Sequence, residues 1–309
     1  MAALATVILL ALLLRRAEAL PIDRPNERSL HQRPTPRIGG LALFPAIVVA
    51  LLVVGTPDVS MWIPLGLAGL LFAISIVDDW RGLPAGLRFG SHFAIASGFA
   101  LWIAGATPLA LAGAIAMAWM TNLYNFMDGA NGLAGGMTVI GFSVLALAAD
   151  NPLLACSAAG AGLGFLFYNF DPARVFLGDA GSIPLGFLAG ALCFVGVVNG
   201  HWPLWFPLLV FAPFVIDATA TLVKRMFRRE KVWAAHRQHY YQRLIRMGWS
   251  HRRLATCEYL LMSTCGGLGL LLLTAPPMWQ VIGVALCVAV HLGLMLWIDR
   301  RWADTGLAA

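Results

Sequence analysis

A few polar side chains stand out because they sit at the ends of long apolar runs. Asp78 and Asp79 directly follow the apolar run 61–77. Adjacent carboxylates at a membrane edge are unfavourable unless paired, metal-bound or solvated, and acids at a helix C-terminus oppose the helix dipole. A solvated helix end is the plainer alternative. Asn122, Asn125 and Asp128 recur every third residue, which on a helix lays them along one face. Gly129 and Gly132 then permit a turn or a close backbone approach. Amides with a carboxylate can hold a base, a sugar or a hard cation. Asp179 lies between Gly178 and Gly181 just before another apolar run. A carboxylate there suits Mg²⁺, which takes one or two carboxylates plus substrate phosphates. His236 and His239, with Arg237 beside them, lie in a basic stretch where imidazoles three apart can donate to phosphate oxygens. As zinc ligands the two histidines lack a third partner of recognisable spacing.

Other residues carry weaker signals. Arg28, His31 and Arg37 precede Gly39-Gly40, where they can meet phosphate or simply anchor a helix end. Asp171 before Pro172 reads as a turn or cap residue. Asp217 is an acid inside an apolar run, functional by default or else a structural partner for an arginine. The five cysteines form no C-x-x-C pair and no zinc-spaced cluster, so they read as small buried hydrophobes.

The elements that must position these groups are membrane helices. Of 309 residues, 60% are apolar and 12% charged, and mean hydropathy is +0.78. That composition excludes a soluble globular enzyme, a disordered chain and a disulfide-stapled secreted domain. At roughly 20 residues per spanning helix, about eleven apolar runs account for most of the chain. They cover roughly 2–14, 38–54, 61–77, 91–105, 109–121, 133–149, 153–168, 184–198, 204–223, 256–274 and 279–298. Alternate connectors differ in charge. Gly55–Ser60, Ala106–Pro108, Asp150–Pro152, Asn199–Pro203 and Ala275–Met278 contain no Lys or Arg, and all 21 basic residues fall in the other set. The positive-inside rule makes that second set cytoplasmic. The net charge of +6 is thereby assigned to a membrane surface or an anionic substrate, and nucleic acid is not expected as a partner. Nothing basic precedes Ala2–Leu14 while Arg15 and Arg16 follow it, which reads as an uncleaved first span with its N-terminus outside and the C-terminus cytoplasmic. No repeat, linker or shift in composition divides the chain. The expectation is one domain over 1–309. It is an all-α integral membrane protein, a polytopic bundle of about eleven (10–11) transmembrane helices, with its active site on the cytoplasmic face.

Five motifs occur in order, all on that face. They are Pro36-Arg37-Ile38-Gly39-Gly40; Asp78-Asp79; Asn122-x-x-Asn125-x-x-Asp128-Gly129-x-Asn131-Gly132-Leu133; Phe176-Leu177-Gly178-Asp179-x-Gly181-Ser182; and the histidine loop. Together they resemble the polyprenyl-phosphate N-acetylhexosamine-1-phosphate transferases, glycosyltransferase family 4, over roughly residues 23–260. The resemblance implies transfer of HexNAc-1-phosphate from a UDP-HexNAc to undecaprenyl or another polyprenyl phosphate, releasing UMP and starting a lipid-linked glycan. Carried over position by position, it implies Asp179 as a Mg²⁺ ligand with Asn125 as a second, and Mn²⁺ as a substitute. Asp78 and Asp79 would face the lipid phosphate as catalytic groups. Asn122, Asn125 and Asp128 would line the nucleotide-sugar pocket, and His236, Arg237, His239 and Arg37 would contact the substrate. The location implied is a bacterial inner (plasma) membrane, and the assembly a single chain or a homodimer.

Two positions depart from the family pattern: the usual H-x-H-H has Gln238 as its middle histidine, and a lysine common after Arg28 is Ser29. The form His-Arg-x-His-x-Tyr-Gln-Arg looks like the branch that begins O-antigen or capsule glycans rather than the pentapeptide-sugar branch. The rival from another class is a secondary transporter of an anionic solute, whose site should lie near the membrane midplane between structural repeats.

Overall fold

The computed structural model describes every residue except 17–19, 26–29, 31–32, 56–58, 233, 235 and 307–309. Arg28, Ser29 and His31 therefore lie outside the described residues.

Each apolar run is helical. The helices are α1 (Ala2–Leu14), α2 (Gly39–Val54), α3 (Trp62–Arg81), α4 (Ala85–Ala104), α5 (Pro108–Met127), α6 (Leu133–Ala148) and α7 (Leu153–Asn169). They continue with α8 (Asp179–Val198), α9 (Trp205–Val210), α10 (Ala212–Phe227), α11 (Tyr240–Arg246), α12 (His251–Leu273) and α13 (Pro277–Asp304). The run 204–223 is broken: α9 ends at Phe211, where Pro213 follows in the first turn of α10 and cannot donate a backbone hydrogen bond. The short α11 lies inside the basic connector. One two-stranded ribbon, β1 (Ile22–Asp23) antiparallel to β2 (Thr35–Pro36), precedes α2.

Among the described residues, α3, α8, α12 and α13 are each long and apolar enough to cross a membrane, and α1, α2, α6 and α7 are shorter apolar helices. Burial separates the centre of the bundle from its periphery. In α8, 72% of the apolar window is buried, against 22% in α13. Side chains such as Leu271, Val281 and Phe227 project outward, an apolar surface suited to lipid rather than water. The central α8 packs on α2, α3, α4, α5 and α6.

The close approach of α2 to α8 explains two of the motifs. Gly39 and Gly40 donate their backbone N–H groups to the carbonyls of Phe176 (2.9 Å) and Leu177 (2.8 Å), and Phe176 donates back to Pro36 (2.8 Å). The two segments thus run side by side before each opens a helix. A Cβ on Gly40 would lie 2.2 Å from the Gly181 nitrogen, so backbone meets backbone and only glycine fits.

Candidate active site

The motif residues meet at one end of the bundle, where α3, α5 and α7 finish and α2, α4, α6 and α8 begin. A cavity of about 180 Å³ there is lined by Asp23, Arg37, Asn125, Asp128 and Asp179, among others. A second, of about 40 Å³, is lined by Asp78, Arg88, His92, Asn122 and again Asn125 and Asp179. Asn125 and Asp179 form the wall between the two.

Asp179 opens α8 and is held from several sides. The Asn125 amide donates to Asp179 Oδ1 (2.8 Å) and to Ser182 Oγ (3.0 Å). In this orientation Asn125 presents its amide nitrogen, not its oxygen, to the carboxylate, and so orients it. Arg88 reaches from the start of α4 to Asp78 (3.1 Å) and to Asp179 (3.4 Å). Asp78 also accepts the Leu83 N–H at 2.6 Å, which fastens the turn between α3 and α4.

Its neighbour Asp79 points elsewhere. It accepts the backbone N–H of Asp179 (3.2 Å) and of Ala180 (2.9 Å), the free donors of the first turn of α8. An anion suits that position because the helix dipole is positive there. Both Asp79 oxygens therefore serve to set α8, and through it Asp179, against α3.

Asp128 caps α5 and lines the larger cavity. Burial pushes its carboxyl up to about 7, and Asp179 and Asp79 add to this while Arg37 opposes it. Arg37 is bound in turn to Asp23 (3.1 Å). Asn122, one turn before Asn125, accepts from or faces His92 Nδ1 at 3.2 Å in the smaller cavity. The loop after Asp128 is tied by residues that carry no motif of their own. Asn169 accepts the Gly132 N–H (2.9 Å) and donates to the Val175 carbonyl (2.9 Å), while Asp171 accepts the Asn131 amide (2.8 Å). Gly132 sits at φ +80°. A side chain there would be strained.

The histidine loop lies behind this site, and His236, Arg237 and His239 line neither cavity. His239 is 3% exposed. Its Nδ1 is 3.2 Å from Asp217 Oδ1, and its ring stacks on Phe126, which does line the smaller cavity. His236 accepts the Gln238 N–H on Nδ1, leaving Nε2–H as its donor. Burial, with His239 and Arg225 beside it, pushes its pKa down to about 4, so it is neutral at pH 7. Arg237 offers its carbonyl to Arg246 at 3.5 Å.

Among the described residues Asp217 pairs with His239 and not with an arginine; it organises this loop. It accepts the backbone N–H groups of Tyr240 and Tyr241, each at 2.9 Å, and the Thr221 hydroxyl at 3.2 Å. Tyr241 carries the loop to the site by donating to the Phe126 carbonyl (3.1 Å). A Cβ on Gly129 would meet the Tyr241 hydroxyl at 2.3 Å, so Gly129 is small to admit it.

Residues 61–197 match the family model described as Glycosyl transferase family 4. A Bacillus subtilis protein named "Probable undecaprenyl-phosphate N-acetylglucosaminyl 1-phosphate transferase" is 31% identical over 78% of this chain and 74% of its own length. The chain belongs to glycosyl transferase family 4. A Mycolicibacterium smegmatis decaprenyl-phosphate N-acetylglucosaminephosphotransferase is 29% identical over 89% of this chain and 82% of its own. A Synechocystis phospho-N-acetylmuramoyl-pentapeptide-transferase is 34% identical over 68% of this chain and 65% of its own. The family match runs from the start of α3 almost to the end of α8, the helices that bring Asp78, Asn125 and Asp179 together. Relatives of both sugar types align with the chain, so overall similarity does not separate them.

The functional residues that sequence reasoning missed are of two kinds. Arg88 touches the site itself; its signal was a lone arginine early in the helix that follows Asp78-Asp79. Asn169, Tyr241 and His92 hold the surroundings; Tyr241 stood in the His-Arg-x-His-x-Tyr-Gln-Arg form without a role, and nothing in the spacing of Asn169 and His92 marked them.

Proposed function

We propose that this protein transfers HexNAc-1-phosphate from a UDP-HexNAc to undecaprenyl or another polyprenyl phosphate, releasing UMP, at the cytoplasmic face of a bacterial inner membrane that it crosses about eleven times. The observation that carries the reading is the convergence of separate chain segments, bearing Arg37, Asp78, Asn125, Asp128 and Asp179, on two adjoining cavities at one end of an apolar bundle. Family membership supports the same reaction class. The histidine loop supports an O-antigen or other envelope-glycan donor over a pentapeptide sugar. A transporter would need its polar groups near the midplane between repeats; here they cluster where helices end.

The reaction breaks one phosphoanhydride and makes another. The lipid phosphate attacks the β-phosphorus of the donor, UMP leaves, and the C1–O bond of the sugar is untouched, so anomeric configuration is retained. A second phosphate pKa near 6 leaves the attacking lipid phosphate largely ionised at neutral pH, so it needs little help from a base. Asp79 gives one acceptor site of each oxygen to the α8 backbone and so acts as a positioning group for Asp179 in this geometry. Asp78 shares Arg88 with Asp179, and Arg88 is placed to trade those carboxylates for phosphate oxygens as substrate enters. Arg37 can do the same by releasing Asp23.

The donor set fits a hard divalent cation. Asp78, Asp79, Asp128 and Asp179 surround the site, against the guanidiniums of Arg37 and Arg88. Asp128 and Asp179 line one cavity with Asn125, all oxygen-bearing groups. Asp179 and Asp128 would hold Mg²⁺ or Mn²⁺, with Asn125 beside them, and the ion would supply charge neutralisation for the diphosphate.

The test offers purified protein a panel of UDP-HexNAc donors with polyprenyl phosphate and follows UMP release and lipid-linked product. Turnover with at least one donor, dependent on divalent cation, is expected. Solute transport without lipid turnover would overturn the reading.

A further inference from the structure

Away from this site, α12 and α13 bring together Cys265, Cys287 and His291. Cys287 and His291 are four apart and so share one face of α13; Cys265 faces them from α12. The two Sγ atoms are 3.6 Å apart, and Cys287 Sγ is 3.6 Å from His291 Nδ1. Among the described residues this is the one group of three His, Cys, Asp or Glu whose ligand atoms lie close enough to share an ion, all within 4.8 Å. All three are buried, at 4%, 7% and 4% exposure, beside Leu209 and Ala212 of the broken helix pair.

One observation goes beyond the packing of small hydrophobes. The two short spacings, 3.6 Å each, are those of a tetrahedral site: Zn–S bonds of about 2.3 Å and Zn–N bonds of about 2.0–2.1 Å place S···S about 3.8 Å and S···N about 3.6 Å apart. Charge selects the ion. Two thiolates and a neutral imidazole around a divalent cation sum to zero, which suits an apolar interior. Thiolate ligands favour a thiophilic metal over Mg²⁺.

We propose that Cys265, Cys287 and His291 form a binding site for a thiophilic divalent cation of the Zn²⁺ type that ties α12 to α13. On binding, each thiol releases its proton to solvent, and His291 Nδ1 exchanges its 2.8 Å hydrogen bond to the Cys287 carbonyl for the metal. The fourth position is open to a neutral ligand such as water, which keeps the site uncharged. The tie has a structural consequence. Two turns beyond His291, α13 carries Asp299, which grips Lys224 (2.6 Å) and Arg243 (2.8 Å) on either side of the histidine loop.

The test uses the full chain in detergent, stripped of metal with a chelator and kept under a non-thiol reductant, with Co²⁺ as the probe. One Co²⁺ per chain should bind with thiolate-to-cobalt charge-transfer absorption and the d–d bands of a tetrahedral centre. Zn²⁺ should displace it and excess Mg²⁺ should not, which separates this site from the carboxylates of the transferase site. The spectrum should vanish in Cys265→Ser and in Cys287→Ser and persist in Cys193→Ser. Zn²⁺ should raise the unfolding midpoint of the parent chain and leave that of Cys287→Ser unmoved. Should a serine variant fail to fold, the alanine variant at the same position carries the same comparison. Absence of tetrahedral Co²⁺ absorption in the parent chain, or its survival when both cysteines are replaced, would overturn the proposal.

Discussion

Asp217→Asn isolates the role of one buried acid. Asp217 Oδ1 accepts the Tyr240 N–H and Oδ2 accepts the Tyr241 N–H, both at 2.9 Å. These are first-turn donors of α11, a helix of seven residues that cannot sustain itself alone. Asparagine keeps one acceptor and turns the other into a donor. Whichever way the amide sits, one backbone N–H then faces an NH₂ group. An orphaned buried N–H costs about 1–3 kcal/mol. Removing the negative charge from the helix N-terminus costs about 0.3–1 kcal/mol more. With 1.4 kcal/mol to each factor of ten, amide exchange across α11 should accelerate roughly 10- to 1,000-fold. Hydrogen–deuterium exchange by mass spectrometry reads this directly. A peptide covering residues 239–246 reports the loop, and one from the centre of α8 serves as the internal control. Transfer activity should fall with it, since Tyr241 and His239 brace the Phe126 segment of the site. Unchanged exchange over 239–246 would refute the reasoning, because it would mean that Asp217 is not what holds α11 in place.

Further outcomes follow from the site and the bundle. Asp179→Asn keeps the shape and removes the charge; cation-dependent transfer should fall about 100-fold while the unfolding midpoint holds, and near-normal activity would remove Asp179 from the metal site. Gly40→Ala places a Cβ 2.2 Å from the Gly181 nitrogen, so the midpoint should drop by the equivalent of about 1–3 kcal/mol, read by thermal unfolding in detergent. Direct attack by the lipid phosphate forbids exchange of labelled UMP into UDP-HexNAc in lipid-free enzyme; such exchange, lost in Asp78→Asn, would establish a covalent intermediate instead. In a cysteine-less background, a single cysteine at the exposed Asp150 should react with an impermeant thiol reagent from outside, and one at the exposed Arg228 should not; the reverse pattern would invert the proposed orientation.

The helices were legible in the sequence because apolar runs are local. Every run became helical, the run 204–223 as two helices, and because spans alternate in direction, motifs in alternate connectors had to emerge at one end of the bundle. The residues Arg37, Asp78, Asn125, Asp128 and Asp179 were found for the same reason: each is polar where its neighbours are not. What the residues do to one another is a matter of packing across large separations, and only the tertiary structure decided it. Asp78 and Asp79 are adjacent and identical in type, yet one shares Arg88 with Asp179 while the other caps α8 about a hundred residues later. A helix turns by 100° per residue, so neighbours point to different partners, and the sequence does not say which helix stands in each direction. His239 and Asp217 show the same limit. Each was marked as chemistry by its type; together they form a buried brace, because α11 folds back against α10. Cys287 and His291 are four apart, but their meeting with Cys265 could not be read from spacing, since it exists only where α13 packs on α12.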